Sequence, residues 1–217
     1  MKIAIDGTAA SGKGTLSDNL SKELKLPRLD TGLLYRKLAF MYIKSLKLIP
    51  TQNTIDNSIL KSILNDFDLN DLETEALKQD LYGNFASRIG KLDFVRNKLK
   101  IIQIEFIENM MKKKGGCILD GRDIGTKILP NADFKFYIDA PIKIRAKRRF
   151  QQLYSIDKSI EFSNILLDLE KRDISDKSRK NSPLILTKDY ILIDTEFLNP
   201  KQVLEKVLYY IKKINKL

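Results

Sequence analysis

The sequence predicts an α/β fold in which a five-stranded parallel sheet lies between two layers of helices. Two observations lead to this prediction. Short apolar runs alternate along the chain with longer segments of helical periodicity, which is typical of parallel strands joined by helices. A glycine-rich loop follows the first apolar run and leads directly into a helical segment. The predicted strands are Lys2–Ile5, Arg28–Asp30, Cys117–Asp120, Phe134–Asp139 and Tyr190–Asp194.

The loop after the first strand, Gly7–Thr15, has the G-x-x-x-x-G-K spacing of a phosphate-binding loop. Its glycines allow backbone N–H groups to turn toward phosphate oxygens, and the next helix adds its positive end. Lys13 can reach the outer phosphates. Gly14 follows the lysine and the hydroxyl comes one place later at Thr15, an order common in nucleoside monophosphate kinases. The alternative is a glycine-rich turn without a ligand.

The net charge of +11 permits two interpretations. It could mark a nucleic-acid surface, or it could reflect a lysine-rich composition together with a site for several phosphates. The lysines are spread along the whole chain, which favours the second interpretation. The chain has no histidine, which excludes histidine-based triads, general bases and metal sites.

A chain of 217 residues predicts one domain with mobile attachments. No run of about 18 apolar residues occurs, so we expect no membrane-spanning helix. The chain enters a strand at once, so we expect no signal peptide. The only cysteine, Cys117, cannot form an internal disulfide, which fits a reducing, cytoplasmic setting.

Apolar spacing also predicts the helices. Pro27 is expected to end the first helix, and Asp30 or Thr31 to cap the second, whose first turn carries Tyr35 and Arg36. Arg36 could equally be a solvated helix arginine. The remaining predicted helices are residues 54–64, a long run to Met111 closed by Lys112–Lys114, a helix after Pro141, residues 159–172 and residues 199–216.

Asp120 comes at the end of an apolar strand, downstream of the phosphate-binding loop. A carboxylate there can hold Mg²⁺ through water. Arg122 follows, and its planar guanidinium can bind a phosphate group. The alternative is an ordinary Asp-Gly turn at Asp120-Gly121.

Three arginines, Arg145, Arg148 and Arg149, stand at positions i, i+3 and i+4 of a predicted helix and therefore share a face. We interpret them as a lid over the transferred phosphoryl group, with a solvated charged face as the alternative. Further on, Arg172, Asp176 and Arg179 are spaced so that a continuous helix would point them in one direction.

Taken together, these motifs resemble those of the bacterial cytidylate kinases, which are P-loop nucleoside monophosphate kinases, over nearly the whole chain. The resemblance rests on Ile5–Gly7 with Ser11–Thr15, Leu29–Gly32, Tyr35-Arg36, Leu119–Thr126, Arg145-Ala146, Arg148-Arg149 and Arg172–Arg179. It implies a P-loop NTPase fold with a core at 1–36, 115–140 and 185–217. It also implies a helical NMP-binding subdomain at about 37–100 and an arginine-bearing lid at about 145–180.

The resemblance implies ATP-dependent phosphorylation of CMP and dCMP, with Mg²⁺ as cofactor. The catalytic residues would be Lys13, Arg122, Arg148 and Arg149. The ATP-binding residues would be Gly7, Thr8, Ala9, Ala10, Ser11, Gly12, Lys13, Gly14, Thr15 and Arg145. The CMP-binding residues would be Thr31, Arg36, Ser87, Arg96, Arg122, Asp123, Arg172, Asp176 and Arg179. The magnesium contacts would be Thr15 and Asp120, through water.

Within the CMP set, Ser87, Arg96 and Asp123 would recognise the cytosine edge, which offers an amine donor beside two acceptors. The chain departs from the family at Thr31, where serine is frequent, and lacks a proline just before Val95-Arg96. We expect a monomer with small-molecule substrates and no nucleic-acid or membrane partner. The alternatives are a P-loop kinase for another acceptor such as UMP, and a basic nucleic-acid-binding protein.

Overall fold

A computed structural model of the protein describes residues 1–46, 55–72 and 74–214. Contacts divide the chain into two compact units. The first comprises Met1–Leu29 and Ile107–Leu217, and the second is Asp30–Phe106. Parts of four predictions lie outside the described residues: residue 54 of one helix, residues 47–54 and 73 of the predicted subdomain, residues 215 and 216 of the last helix, and residues 215–217 of the predicted core.

The sheet has five parallel strands, as the sequence predicts, and their order in the sheet is β2-β3-β1-β4-β5. β1 is central and pairs with β3 on one side and β4 on the other, so that Ile3 lies between Ile118 and Phe134. Since all strands run the same way, their carboxyl ends meet at one edge, where α/β folds bind ligands. The strands are β1 Lys2–Gly7, β2 Arg28–Asp30, β3 Cys117–Gly121, β4 Phe134–Asp139 and β5 Ile191–Asp194.

The core of the first unit forms between the sheet and two helices, α1 (Lys13–Leu24) and α8 (Pro200–Ile214). Leu16 and Leu20 of α1 and Val207 of α8 are buried in one cluster with the strand residues. The four-residue spacing of these apolar side chains brings them to one side of each helix. α1 ends at Leu24, and its C-cap Lys25 adopts a left-handed conformation with φ 55°. The helix therefore ends shortly before Pro27, the residue that was expected to end it.

Two further helices of the first unit, α6 (Ile142–Tyr154) and α7 (Phe162–Ser178), pack against each other. Ala146 and Leu169 meet there in an apolar cluster that includes Ala9 of the glycine-rich loop. The sequence predicted that α7 ends at residue 172, but the helix continues to Ser178. Consequently Arg172 and Asp176 lie on one helix, and Arg179 is its C-cap.

Apart from Asp30 at the end of β2, the regular elements among the described residues of the second unit are helical, and α2 packs against α3 and α4. Asp30 caps α2, since its Oδ1 accepts a hydrogen bond from the Gly32 amide at 2.9 Å. No helix in the described part of the chain is long and apolar enough to cross a membrane. The elements are α2 Thr31–Leu46, α3 Asn57–Asn65, a 3₁₀ turn at Glu75–Lys78, α4 Asp80–Ile89 and α5 Asp93–Lys114, whose last residues belong to the first unit.

Candidate active site

The glycine-rich loop leaves β1 in close contact with β4. Gly7 has φ +147°, and a Cβ atom there would lie 1.9 Å from the carbonyl oxygen of Ile138. No side chain can be accommodated at that distance, so the loop requires glycine at its first position. Gly12, with φ +96°, is the N-cap of α1, and the first amides of this helix have no carbonyl of the preceding turn to bind.

Side chains around the loop hold its carbonyl groups. The Thr8 carbonyl accepts hydrogen bonds from Lys13 Nζ at 2.6 Å and from Ser11 Oγ at 3.0 Å. The Ala9 carbonyl accepts one from Arg145 Nη1 at 3.0 Å, and the Ser11 carbonyl one from Thr195 Oγ1 at 3.2 Å. Carbonyl oxygens repel phosphate, so fixing them to donors suits a loop that binds anions.

A cavity of about 610 Å³ opens over the loop. This volume lies in the range of nucleotide-sized and drug-sized ligand pockets. Loop residues form one wall, and arginine, glutamine and apolar side chains form the rest, so that phosphate-binding and apolar surfaces adjoin. The lining residues are Ala10–Leu16, Arg148, Arg149, Gln151, Gln152, Thr195, Leu198, Pro200 and Val203.

The three predicted lid arginines have different surroundings. Arg148 and Arg149 line the cavity, and Arg148 donates to Thr195 Oγ1 at 3.0 Å and to the Thr195 carbonyl. Arg145 is only 4% exposed and forms an ion pair with Asp173 of α7 at 2.6 Å. Its Nε also donates to the Ala140 carbonyl at 2.8 Å. Arg145 therefore holds the loop by its Ala9 carbonyl. Its contact with ATP stays a prediction.

The two predicted magnesium residues differ in exposure: Asp120 is on β3, and Thr15 is in the first turn of α1. Asp120 is 4% exposed, and its Oδ2 accepts a hydrogen bond from Ser17 Oγ at 2.5 Å, whereas Thr15 is exposed. The described residues contain no cluster of three or more acidic, histidine or cysteine side chains that could hold a metal. One carboxylate and one hydroxyl fit Mg²⁺, which binds mainly to substrate phosphates and water.

Sequence reasoning missed the importance of Asp6, which is fully buried between the loop and the turn after β3. Its carboxylate accepts hydrogen bonds from the amides of Ile124 and Gly125 at 2.9 and 2.8 Å, and from the Tyr190 hydroxyl at 2.5 Å. Burial raises the pKa of Asp6, although these hydrogen bonds oppose the shift. In the sequence, the signal for Asp6 was an acidic residue directly after the apolar run of β1. The Asp6 carboxylate connects the Asp120–Thr126 turn to the glycine-rich loop.

The first unit also brings together the late arginines and acids. Arg122 Nε lies 2.8 Å from Asp176 Oδ2, and Arg179 Nη1 lies 3.4 Å from Asp176 Oδ1. Arg179 Nη2 is 3.9 Å from Asp123. Burial alone would raise the pKa of Asp176, but the guanidinium groups of Arg122, Arg179 and Arg172 lower it below 3.8. The turn and α7 thus present alternating charges that suit a phosphate with hydroxyl groups nearby.

In the second unit, two predicted CMP-binding arginines lie at the two ends of α4. Arg36 Nη1 donates to the carbonyls of Leu77 and Gln79, just before the helix, at 2.9 and 2.8 Å. Arg96 Nη1 donates to the carbonyl of Gly90, just after the helix, at 3.0 Å. The other predicted residues of this unit are Ser87 on α4, partly buried, and Thr31 at the start of α2, buried.

The Arg96 guanidinium also lies 5.7 Å from the ring centroid of Tyr35. A cation over an aromatic face is attracted by the ring. The sequence placed Tyr35 beside Arg36 in the first turn of α2 but gave no indication of its contact with Arg96. Tyr35 and Gly90 therefore both orient a residue that the family resemblance assigns to base recognition.

The parallel sheet, the glycine-rich loop and the arginine-lined cavity define a P-loop protein with the architecture of nucleotide-dependent kinases. A solved structure of an uncharacterized protein from Eubacterium ventriosum has the same fold, with a TM-score of 0.54 over 98% of each chain and 14% sequence identity. At that identity the likeness concerns the fold alone.

The chain belongs to the cytidylate kinase family, whose model matches residues 3–213. A cytidylate kinase from Bartonella henselae is 40% identical over 197 residues, covering 91% of this chain and 87% of that protein. One from Rickettsia rickettsii is 40% identical over 210 residues, covering 97% of this chain and 91% of its own. These matches confirm the resemblance drawn from the motifs.

Proposed function

We propose that the protein transfers the γ-phosphoryl group of ATP to CMP or dCMP, forming ADP and CDP or dCDP. The observation that carries this proposal is the match of the cytidylate kinase family to residues 3–213. The cavity over the loop supports it, because phosphate-binding backbone and two arginines adjoin an apolar pocket large enough for ATP. The family match does not favour the alternatives of another acceptor or of nucleic-acid binding.

In the proposed reaction, an oxygen of the CMP phosphate attacks the γ-phosphorus of ATP in line. The new P–O bond forms as the bridging P–O bond to the β-phosphate breaks, and ADP leaves. The attacking oxygen is already anionic at neutral pH, so no strong general base is required. Lys13, Arg148 and Arg149 would neutralise charge on the transferred group, and their prior orientation would account for the rate.

For the acceptor, we propose that the CMP-binding roles implied by the family apply to this chain. Arg122, Arg172, Asp176 and Arg179 would bind the phosphate and ribose, with Arg36 as a further phosphate ligand. Thr31 would be a further CMP-binding residue, and Ser87, Arg96 and Asp123 would recognise cytosine.

Thr15 and Asp120 would hold Mg²⁺ through water, where it would offset phosphate charge. The monomeric state and the cytoplasmic setting stay predictions from the sequence.

The test is ADP formation from ATP across a panel of acceptors, namely CMP, dCMP, UMP and AMP. CMP and dCMP should give kcat/KM values at least about a hundredfold above that of AMP, because a site that hydrogen-bonds one base edge rejects another. UMP as the preferred acceptor would replace CMP in the proposal. Absence of transfer to any of the four, combined with steeply salt-dependent binding to RNA or DNA, would support the nucleic-acid alternative.

A further inference from the structure

We infer that Gly83 is a positioning residue for the acceptor: the absence of a side chain there creates the space in which the Arg36 guanidinium is held. The inference rests on the proposed function in that Arg36 is taken to bind the CMP phosphate. Both residues belong to the second unit, where α2, which carries Arg36, packs against α4, which carries Gly83.

The guanidinium group lies directly against the α4 backbone. A Cβ atom built on Gly83 would be 2.5 Å from Nη2 of Arg36, 2.9 Å from Cζ and 3.1 Å from Nη1. Real Cβ atoms essentially never approach other heavy atoms closer than 3.0 Å. Any residue with a side chain at position 83 would therefore displace the guanidinium.

The same guanidinium is also held by two backbone carbonyls, through the nitrogen that would lie 3.1 Å from that Cβ atom. Nη1 donates to both the Leu77 carbonyl, at 2.9 Å, and the Gln79 carbonyl, at 2.8 Å. Arg36 cannot move away from a Cβ atom at position 83 without lengthening these bonds. The glycine and the two carbonyls thus fix the plane and the direction of the fork.

Backbone conformation gives no reason for a glycine at this position. Gly83 lies inside α4 and is not among the glycines with positive φ, which are Gly7, Gly12 and Gly115. A glycine inside a helix is less favourable than alanine. The close approach of Arg36 supplies the reason that local structure does not.

The consequence for binding follows from the geometry of guanidinium–phosphate pairs. Arginine binds a phosphate through two parallel N–H groups, so the orientation of the fork determines whether both bonds form. A guanidinium displaced by about 1 Å would lose one of them. The effect should fall on the acceptor, since the loop and the cavity that would bind ATP belong to the first unit.

The experiment compares Gly83→Ala with Asn84→Ala, a neighbouring exposed position of α4 that also gains helix propensity. For Gly83→Ala we expect the KM for CMP to rise about tenfold, the loss of roughly one charge-assisted hydrogen bond. The KM for ATP should be unchanged and the Tm equal to or above that of the parent. Asn84→Ala should likewise have a Tm equal to or above that of the parent, and neither its KM for CMP nor its KM for ATP should change.

A second arm tests whether Gly83 acts through Arg36. Arg36→Ala should raise the KM for CMP by itself, and adding Gly83→Ala to it should produce no further increase. Equal fold-changes in both backgrounds would contradict the inference, as would a lowered Tm with parallel changes in both KM values.

A third readout does not depend on activity. A crystal structure of Gly83→Ala should show the Arg36 guanidinium displaced from the Leu77 and Gln79 carbonyls. If it stays in place, the inference is wrong whatever the substrate. If it moves while Arg36→Ala leaves the KM for CMP unchanged, the positioning is correct and the proposed role of Arg36 is wrong.

Discussion

The two units prepare their binding groups in opposite ways. In the first unit, side chains fix a backbone: Lys13, Arg145 and Thr195 donate to carbonyls of the glycine-rich loop. In the second unit, the backbone fixes side chains: carbonyls at the two ends of α4 accept hydrogen bonds from Arg36 and Arg96.

The difference follows from which group is expected to meet the ligand. A loop that binds phosphate through amides must keep its carbonyls away from the anion, and surrounding cations and hydroxyls do so. An arginine that binds phosphate through its own N–H groups needs only an acceptor on its far edge. Removing Arg145, which is buried in its ion pair, should therefore damage structure in the first unit, whereas removing Arg36 should damage ligand binding in the second.

The largest expected effect is on turnover. Lys13→Ala should lower kcat about a thousandfold, because a positioned charge on the transferred phosphoryl group is lost. The fold should persist, as Lys13 is a side chain on an intact helix. Steady-state ADP formation measures the effect, and Lys22→Ala, on the same helix in an exposed pair with Asp18, is the control. Ordinary activity in Lys13→Ala would remove the loop from the proposed site.

The next prediction contrasts arginines from the two units by stability. Arg145→Ala should lower the free energy of unfolding by about 3–5 kcal/mol, because it leaves the Asp173 carboxylate buried without its ion-pair partner. Arg36→Ala should cost about 1 kcal/mol, since its hydrogen bond to the Gln79 carbonyl is exposed and that to the Leu77 carbonyl is only part-buried. Urea denaturation of both variants measures the difference. If Arg145→Ala does not fold, Asp173→Asn provides a milder version.

Similar losses for Arg145 and Arg36 would contradict the distinction between the units. A raised KM for CMP in Arg36→Ala, together with a free energy of unfolding close to that of the parent, would support this distinction. The same protein samples serve both measurements.

The smallest effect concerns pH. The pKa of Asp176 is lowered below 3.8, so its ionised form stabilises the fold above that pH, and this contribution is lost as the pH falls through the lowered pKa. Asp176→Asn should therefore be less stable than the parent at pH 7, with a difference that shrinks below pH 3.8. Chemical denaturation at a series of pH values measures it. A difference that stays constant down to pH 2 would exclude the titration of Asp176 as its source.

Local patterns predicted much of this molecule. The strands Arg28–Asp30 and Phe134–Asp139 have the bounds expected from their apolar runs, and the other three differ by one or two residues at an end. Continuous apolar runs and the breaks at glycine or proline are short-range signals, so they can be read from the chain. Helix ends were less well predicted: α7 extends to Ser178, and in its last turns Asp173 pairs with Arg145 and Asp176 with Arg122, partners that are distant in the chain.

The grouping of Arg145 with Arg148 and Arg149 shows where such reasoning stops. Helical spacing correctly places the three on neighbouring positions of one helix. It cannot tell which of them faces α7, and the structure buries Arg145 against Asp173 while Arg148 and Arg149 line the cavity. The partner acid is on another helix, and no local pattern links the two.

The sequence by itself determined the phosphate-binding loop, the order of the strands along the chain, and the family, because these depend on residue types at short, fixed spacing. Tertiary structure alone decided how the binding groups are held. Asp6 meets Tyr190 and the turn after β3 only across the folded sheet, and Gly83 meets Arg36 only where α2 packs against α4. Such contacts join residues far apart in the chain, and the packing that brings them together is a property of the whole fold.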